Sequence, residues 1–220
     1  MNFKNLRNSI FEIQAKICVI CVICGKKMKI GLYFGTFNPI HIGHLIIANH
    51  FAEYSGLEQI WMVVTPHNPL KNKQTLLDDY QRLQLVFLAT EEYPKIKPSD
   101  IEFKLPQPNY TVNTLAHLQD KFPQHEFSLI MGEDNLNSLH KWKNHDVILQ
   151  NHEIYVYPRI SSELEHSIYK NNPKVHIIDA PVVEISSTFI RENIKNKKNV
   201  RPLLPSTVWE YIDHNNSYKK

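Results

Sequence analysis

Two histidines three residues apart stand in a glycine-containing turn and could bind phosphate. His41 and His44 belong to the sequence GTFNPIHIGH at residues 35–44. At the start of a helix this spacing brings both side chains to one side, where two imidazoles can donate hydrogen bonds to phosphate oxygens. Gly35 lets the backbone approach a ligand closely, and Gly43 leaves room between the two imidazoles. The segment therefore predicts a phosphate site.

Other interpretations of the two histidines remain open at this stage. Both side chains could do no more than cap the helix. A zinc site would need a third ligand, and two zinc-binding histidines on a helix are usually four residues apart. The chain has neither the Gly-x-x-x-x-Gly-Lys-Ser/Thr loop nor the Gly-x-Gly-x-x-Gly turn, so a phosphate site here is not of the common kinds.

A second candidate phosphate segment, ISSTFIR, lies far downstream at residues 185–191. Ser186 or Ser187 can cap a helix that begins here, and the first amides of that helix would face an anion. Arg191 adds a fixed fork of donors that suits phosphate oxygens. Taken alone, Arg191 could equally be a solvated surface residue.

Strand and helix patterns alternate along most of the chain. The predicted strands are residues 29–34, 59–65, 96–103, 126–131, 152–157 and 174–178, and a loop is predicted at 66–75. The predicted helices are residues 43–55, 78–92, 111–121, 132–140, 187–195 and 206–214. Such alternation predicts a parallel sheet with helices on both faces, and ligands of these sheets bind beyond the carboxyl ends of the strands. Residues 35–44 lie at such an end.

The amino-acid composition limits the classes of protein to which the chain can belong. The chain has 220 residues and a formal net charge of +3, without a long basic run beyond residues 195–198, so nucleic-acid binding is not expected. Its three cysteines are Cys18, Cys21 and Cys24, which fits a reducing, cytoplasmic compartment. They could form part of a metal site, but a closed zinc site needs about four ligands and no histidine lies nearby.

Residues 1–27 differ from the rest of the chain. Their apolar run, residues 17–24, is shorter than the roughly 20 residues that span a bilayer, so no membrane association is expected. Glu12 and the lack of a small-residue cleavage site disfavour a signal peptide. Met28 directly precedes the first convincing strand. We expect an extension at residues 1–27, upstream of a natural start at Met28, and a single domain at residues 28–220.

The two candidate phosphate segments resemble the motifs of a known superfamily. Residues 35–44 resemble the Gly-Thr-Phe-Asp-Pro-x-His-x-Gly-His motif of the nucleotidyltransferases, and residues 185–191 resemble the Ile-Ser-Ser-Thr-x-Ile-Arg signature of the adenylyltransferases. The resemblance implies a Rossmann-like, doubly wound α/β fold with His41, His44 and Arg191 as catalytic residues. It also implies ATP binding by Gly35, Thr36, Phe37, His41, His44, Ser186, Ser187 and Arg191.

Asn38 departs from that pattern, because the family usually has Asp at this position. The change removes a charge but keeps a polar turn-forming residue. If the family's Asp only shapes the loop, little changes. If it tunes a histidine, that tuning is weakened here.

Residues 28–212 are similar to the bacterial nicotinate-nucleotide adenylyltransferases. Further matching segments are PHNPLK at 66–71, NYTVNTL at 109–115, GEDN at 132–135, YPR at 157–159 and the stretch 205–212. The resemblance implies that the mononucleotide is bound by Lys71, Tyr110, Thr111, Asp134, Trp142 and Arg159. Trp142 offers a face on which a pyridine ring can stack. Alternatives stay open: Trp142 as a core aromatic, Tyr110 as ordinary packing, and Asp134 as a helix-dipole partner.

The implied reaction joins ATP to nicotinate mononucleotide and gives deamido-NAD and pyrophosphate. Mg²⁺ is expected to arrive with ATP, with no dedicated metal site in the protein. The alternatives are an adenylyltransferase for nicotinamide mononucleotide or another phosphate ester, and a nucleotide-binding module without turnover. A homo-oligomer is compatible with the sequence.

Overall fold

The computed structural model describes residues 27–66, 76–158 and 168–219. Lys71, Arg159, the three cysteines and nearly all of the loop predicted at residues 66–75 lie outside the described residues. The expectations that concern them therefore stay predictions.

Six strands of the described residues form one parallel sheet. They are β1 (Lys29–Gly35), β2 (Gln59–Val64), β3 (Ile96–Ser99), β4 (Glu126–Gly132), β5 (Ile154–Tyr157) and β6 (Val175–Ile177). Their order is β3-β2-β1-β4-β5-β6, and every neighbouring pair is parallel. The chain reverses its direction of winding between β1 and β4, and this switch point is where doubly wound sheets bind ligands. The predicted α/β, Rossmann-like sheet is confirmed.

Helices cover both faces of the sheet. They are α1 (Ile42–Tyr54), α2 (Asp79–Thr90), α3 (Thr111–Lys121), α4 (Glu133–Asn137), α5 (His145–Asn151), α6 (Ser187–Lys195) and α7 (Ser206–His214), with short 3₁₀ turns at Leu139–Lys141 and Arg201–Leu203. α1, α2, α6 and α7 contribute to one hydrophobic core, and α3, α4 and α5 to the other. No helix in the described part of the chain is both long and apolar enough to cross a membrane.

Side chains of the strands alternate between the two cores, as the period of two requires. On β1, Tyr33 belongs to the core under α1, whereas Ile30 and Leu32 belong to the opposite core and Phe34 packs against that opposite core. The carboxyl end of β1 therefore presents neighbouring residues to both faces of the sheet.

Two predicted elements are wrong in extent, and one helix was missed. The predicted strand at 96–103 ends at Ser99, because Phe103 N–H bonds the Asp100 carbonyl at 2.9 Å and the chain turns. The predicted helix at 132–140 is interrupted at Ser138, whose hydroxyl donates to the Asp134 carbonyl at 3.0 Å and so competes with the helical ladder. α5, which follows Asn144 in the left-handed region at φ 51°, was not predicted.

Candidate active site

One cavity of about 200 Å³ opens beside the start of α1, and we call it the histidine cavity. It brings together the first predicted motif and the beginning of the second, although about 140 residues separate them. Its lining residues are Tyr33, His41, Gly43, His44, Ile47, Tyr157 and residues 183–186. The chain folds so that both candidate phosphate segments face one space.

The two histidines stack on each other at this cavity. Their ring centroids are 3.7 Å apart with an interplanar angle of 26°. The backbone N–H of His41 donates to Nδ1 of His44 at 3.2 Å, which is a capping interaction. Because Nδ1 of His44 accepts this bond, the proton of the neutral ring lies on Nε2. His44 thus combines the predicted capping role with an Nε2–H donor suited to a phosphate oxygen.

His41 is the more deeply buried of the pair, with 4% of its surface exposed. Burial lowers the pKa of His41 to about 4, because desolvation disfavours the imidazolium. Its Nδ1 atom is buried and has no hydrogen-bond partner among the described residues. A side chain at position 43 would approach both Nδ1 of His41 and Val183 to 3.1 Å, so Gly43 makes room for the His41 ring and for the downstream segment.

The second motif is hydrogen-bonded to the first. The Ser187 hydroxyl donates to the Pro39 carbonyl at 2.8 Å, and Nη1 of Arg191 donates to the Asn38 carbonyl at 2.8 Å. Ser186 caps α6 by accepting the N–H of Phe189 at 3.1 Å. Ser187 and Arg191, which the resemblance implies as phosphate ligands, therefore also hold the turn that carries His41 and His44.

Gly35, Thr36 and Phe37 form the bend between β1 and that turn. Phe37 has φ 43° and is only 1% exposed, with its ring against His44 at a centroid distance of 5.1 Å. A Cβ atom at Gly35 would lie 2.7 Å from the Phe37 ring, so this position requires glycine. The Phe37 side chain shapes the bend from within the core and offers no open surface to ATP.

Arg82 holds the same bend from α2 and was not predicted. Its side chain is fully buried. Nη1 donates to the carbonyls of Thr36 at 2.6 Å and Thr65 at 3.0 Å, and Nε donates to the Leu77 carbonyl at 3.1 Å. Nη2 pairs with Asp79 at 2.5 Å. Arg82 therefore ties the carboxyl ends of β1 and β2 to α2. The only sequence signal would have been an arginine on the apolar face of a helix.

A larger cavity, of about 340 Å³, lies on the other face of the sheet, and we call it the tryptophan cavity. It contains three of the residues predicted to bind the mononucleotide, Tyr110, Thr111 and Trp142. Its remaining lining residues are Phe34, Gly35, Thr36, Thr65, Glu102, Asn109, Leu129, Ile130, Met131, Asn135, Lys141 and Lys143. The predicted grouping of α3 with the Trp142 segment is present in the fold.

Trp142 and Tyr110 line this cavity without being fully enclosed by the core. Trp142 is half-buried and packs against the core on its face of the sheet, so the core-aromatic alternative is partly correct. Its Nε1 atom is buried without a hydrogen-bond partner in residues 27–66, 76–158 and 168–219. The Lys143 ammonium lies 4.7 Å from the centre of the Tyr110 ring. Tyr110 occupies the N-cap position of α3 without a side-chain capping bond, and Thr111 is the first residue of the helix, where amides lack intrahelical acceptors.

Glu102 and Asn109 are buried polar residues of the tryptophan cavity that were not assigned a role from sequence. Glu102 is 2% exposed, and its Oε1 accepts the Thr114 hydroxyl at 2.7 Å. Burial raises the pKa of Glu102, and the Thr114 hydroxyl partly offsets this. Asn109 donates to the Glu102 carbonyl at 3.2 Å. Glu102 was missed because residues 96–103 were assigned to a strand, whereas the turn after Ser99 directs Glu102 to the cavity.

Asp134 does not line the tryptophan cavity; its neighbour Asn135 does. A Cβ atom at Gly132 would lie 2.6 Å from Oδ1 of Asp134 and 3.1 Å from the Tyr157 hydroxyl. Asp134 and Tyr157 thus flank the carboxyl end of β4 on the side of the histidine cavity. Asp134 also lies in the first turn of α4, as the helix-dipole alternative requires.

The two cavities lie on either side of the carboxyl end of β1. Tyr33 lines the histidine cavity, whereas Phe34, Gly35 and Thr36 line the tryptophan cavity. Ligands bound in the two cavities would therefore lie on either side of the carboxyl end of β1, next to the bend that contains Gly35 and the Phe37 ring. This arrangement suits a reaction that joins two phosphorylated molecules, and it defines the class as a nucleotide-binding transferase.

Comparison with known proteins agrees with this class. The family model described as cytidylyltransferase-like matches residues 32–193. In the solved structure of Plasmodium falciparum nicotinic acid mononucleotide adenylyltransferase complexed with NaAD, the fold is similar at a TM-score of 0.74 and 20% identity, over 87% of this chain and 97% of that one.

Close relatives narrow the family. The chain is 79% identical over 193 residues to a "probable nicotinate-nucleotide adenylyltransferase" of Flavobacterium psychrophilum, which covers 88% of this chain and 100% of the relative. A relative of the same name in Flavobacterium johnsoniae is 75% identical with the same coverage. The chain belongs to the nicotinate-nucleotide adenylyltransferases of the cytidylyltransferase-like family.

Proposed function

We propose that the chain transfers the AMP group of ATP to nicotinate mononucleotide, with ATP in the histidine cavity and the mononucleotide in the tryptophan cavity. The family supports the reaction, and the observation that carries the assignment of cavities is that the successive β1 residues Tyr33 and Phe34 line the histidine cavity and the tryptophan cavity, respectively. The histidine cavity contains the two phosphate motifs. The tryptophan cavity contains the aromatic surface that a pyridine ring needs.

The reaction is a direct in-line displacement. An oxygen of the mononucleotide 5′-phosphate attacks the α-phosphorus of ATP and forms the new phosphorus–oxygen bond. The bond between that phosphorus and the oxygen bridging to the β-phosphate breaks, and pyrophosphate leaves with the electron pair. No protein nucleophile takes part, so the protein contributes positioning and stabilisation of charge.

His44 and His41 bind the ATP phosphates in this proposal. The Nε2–H of His44 donates to an oxygen at the α-phosphorus, where negative charge is redistributed in the transition state. His41 enters as a neutral imidazole, because burial lowers its pKa to about 4. A bound triphosphate brings negative charge next to His41. Because this charge stabilises the imidazolium, ATP favours proton uptake by His41.

Arg191 and Ser187 act on both the loop and the ligand. The guanidinium has five N–H donors, of which one serves the Asn38 carbonyl and one, at 3.3 Å, the Thr188 hydroxyl. In this proposal its remaining donors bind the β- and γ-phosphates. With the turn fixed by the same residue, binding of the phosphates and positioning of His44 are coupled.

The tryptophan cavity favours an acidic ligand. Lys141 and Lys143 line it, and their charges attract both the 5′-phosphate and a nicotinate carboxylate. We assign the pyridine ring to the face of Trp142 and the carboxylate to the first amides of α3, beside Tyr110 and Thr111. Asp134 lies outside this cavity, at the carboxyl end of β4, and we assign it to a ribose hydroxyl of the mononucleotide there. Lys71 and Arg159 complete the set that the family resemblance implies.

Mg²⁺ belongs to the MgATP substrate in this proposal. Among the described residues there is no group of three or more His, Cys, Asp or Glu side chains that could hold a metal ion. No protein residue is therefore assigned to the ion. When it is bound, it neutralises charge on the phosphates.

Glu102 favours a second candidate substrate. A carboxylate in the tryptophan cavity would accept hydrogen bonds from the amide of nicotinamide mononucleotide and would repel nicotinate. Burial raises the pKa of Glu102, which weakens this repulsion. Lys141 and Lys143, together with the family, make nicotinate mononucleotide the better assignment.

A substrate panel tests the proposal. The protein is incubated with MgATP and either nicotinate mononucleotide, nicotinamide mononucleotide or no acceptor, and pyrophosphate release is measured. We expect kcat/KM for the acid to exceed that for the amide at least tenfold. Preference for the amide would refute the substrate assignment, and ATP binding without pyrophosphate release with any acceptor would refute the enzymatic one.

A further inference from the structure

Asn38, at the departure from the family motif, is held from three distant parts of the chain. It is 1% exposed. Its Oδ1 accepts the backbone N–H of Leu77 at 3.2 Å and the hydroxyl of Tyr218 at 2.7 Å, and its carbonyl accepts Nη1 of Arg191 at 2.8 Å. These partners are 39, 180 and 153 residues away in sequence. The turn before His41 is thus fixed by groups that no local motif contains.

Position 38 needs an acceptor oxygen, not a charge. Both groups that bond its side-chain oxygen are donors, an amide N–H and a phenol O–H. An asparagine amide and an aspartate carboxylate can each supply that oxygen. The change from the family's Asp to Asn38 is therefore compatible with a role in shaping the loop, which is the first of the two alternatives derived from sequence.

The end of the chain is folded back to bring Tyr218 to this oxygen. After α7, the N–H of Ser217 bonds the Ile212 carbonyl at 3.0 Å, and Asn216 and Tyr218 both have positive φ, at 50° and 65°. Lys219 pairs with Asp213 at 2.8 Å and closes the turn. Residues other than glycine seldom adopt positive φ, so the surrounding contacts must hold Tyr218 in place.

Tyr218 is equipped to act as a donor. Its ring packs against the core that contains Tyr33 and Phe37. Burial raises the pKa of Tyr218 above the ordinary value of 10, so the hydroxyl keeps its proton. The neighbouring positive charges of Arg191 and Arg82 only partly offset that effect.

We propose that Tyr218 is a positioning residue: by donating to Asn38 it holds the turn that places His41 and His44 against the ATP phosphates. The kinetic part of this inference rests on the proposed adenylyl transfer. Tyr218 touches neither substrate in it. Loss of the hydroxyl would let the turn move while leaving the histidines, Arg191 and both cavities chemically intact.

The variant Tyr218→Phe tests the proposal, because it removes a single hydroxyl. We expect kcat to fall about five- to tenfold, the effect of losing one hydrogen bond between neutral groups, while KM for the mononucleotide changes less than twofold. The ring resonances of His41 and His44 in an NMR spectrum without substrates should shift. Tyr54→Phe is the matched control, since Tyr54 is 75% exposed and lies outside both cavities; we expect it to behave as wild type.

A double-mutant cycle shows whether the effect passes through Asn38. Asn38→Ala should lower kcat, and adding Tyr218→Phe to it should lower kcat no further. Thermal melts accompany the kinetics, and kcat is expressed per folded protein. An unchanged kcat with unchanged histidine resonances in Tyr218→Phe would overturn the proposal, as would equal losses in both backgrounds. Wild-type protein without turnover would instead refute the proposed function, and the resonances would still test the contact.

Discussion

At the scale of single residues, the site depends on two imidazoles in different environments. His44 lines the histidine cavity, and its ring is fixed by the His41 N–H, which donates to its Nδ1. His41 is desolvated and neutral. The His44 ring is thus oriented by a hydrogen bond, and the His41 ring is held by burial. A separate prediction follows for each histidine.

The variant His44→Ala should lower kcat by about a hundredfold or more, the scale expected when a preorganised donor to developing charge is lost. Pyrophosphate release at saturating substrates measures it. His50→Ala is a suitable control, because His50 lies on the same helix but lines neither cavity. Near-wild-type turnover in His44→Ala would refute the role assigned to that side chain.

His41 should titrate with a pKa of about 4 in the free protein. Its folded-state pKa lies below the ordinary value of 6.5, so its contribution to stability is present above pH 6.5 and is lost as the pH falls towards 4. NMR titration of the ring protons, assigned with His41→Gln, measures the midpoint. MgATP should raise that midpoint. A free-protein midpoint near 6.5 would show that the ring is solvated.

At the scale of elements, the motif turn is held by helices on either side. Arg82 of α2 binds the carbonyls of Thr36 and Thr65, while Ser187 and Arg191 of α6 bind those of Pro39 and Asn38. The carbonyl oxygens of the turn are thereby paired with donors. Their partial negative charge is offset where the proposed function places the ATP phosphates.

Arg82→Met should destabilise the fold by about 3 kcal/mol or more, since it leaves buried carbonyls without donors. Urea unfolding followed by circular dichroism measures the change. The control is Lys95→Met, which removes a half-exposed pair with Glu53 and should cost less than about 1 kcal/mol. Equal, small effects of the two substitutions would mean that Arg82 does not tie the strands to α2.

Sequence reasoning located the elements well where hydrophobic period and caps agree. The bounds of α3, α6 and α7 were predicted to the residue. Errors arose where side chains compete with the backbone, as at Ser138, or where a turn follows a short strand, as at Ser99. Both depend on local hydrogen bonds that the hydrophobic pattern does not encode.

Only those residues of the site that belong to local sequence motifs could be predicted. Sequence reasoning identified His41 and His44, and likewise Ser186 and Ser187, because the members of each pair lie within one turn of the chain and have side chains that suit a phosphate. Arg82, Glu102 and Tyr218 were not, because their roles come from contacts made across 46, 12 and 180 residues of sequence. Only the folded sheet order brings such partners together.

At the scale of the whole molecule, the sheet separates the two cavities, and the proposed function places one substrate in each. β1 contributes alternate residues to the two faces, and the switch point between β1 and β4 leaves both cavities open at the carboxyl end. The described residues from Met28 onward contain the sheet and both cavities.

Removing residues 1–27 should therefore leave folding and activity intact. Within that segment the structure describes only Lys27, which pairs with Glu126 across exposed side chains, and such pairs contribute little. Soluble yield, melting temperature and kcat of the shortened and full chains are the measurements. A clear loss of soluble protein would show that the segment belongs to the fold.

Direct transfer of the AMP group between two substrates, at the carboxyl end of β1, is the central feature of the proposed function. Its most direct test is the stereochemistry at the α-phosphorus, with ATP carrying sulfur at one non-bridging α-oxygen of known configuration. A single in-line displacement inverts the configuration in the dinucleotide product, and we predict inversion. Retention would require two displacements and a covalent protein intermediate, and would contradict the account.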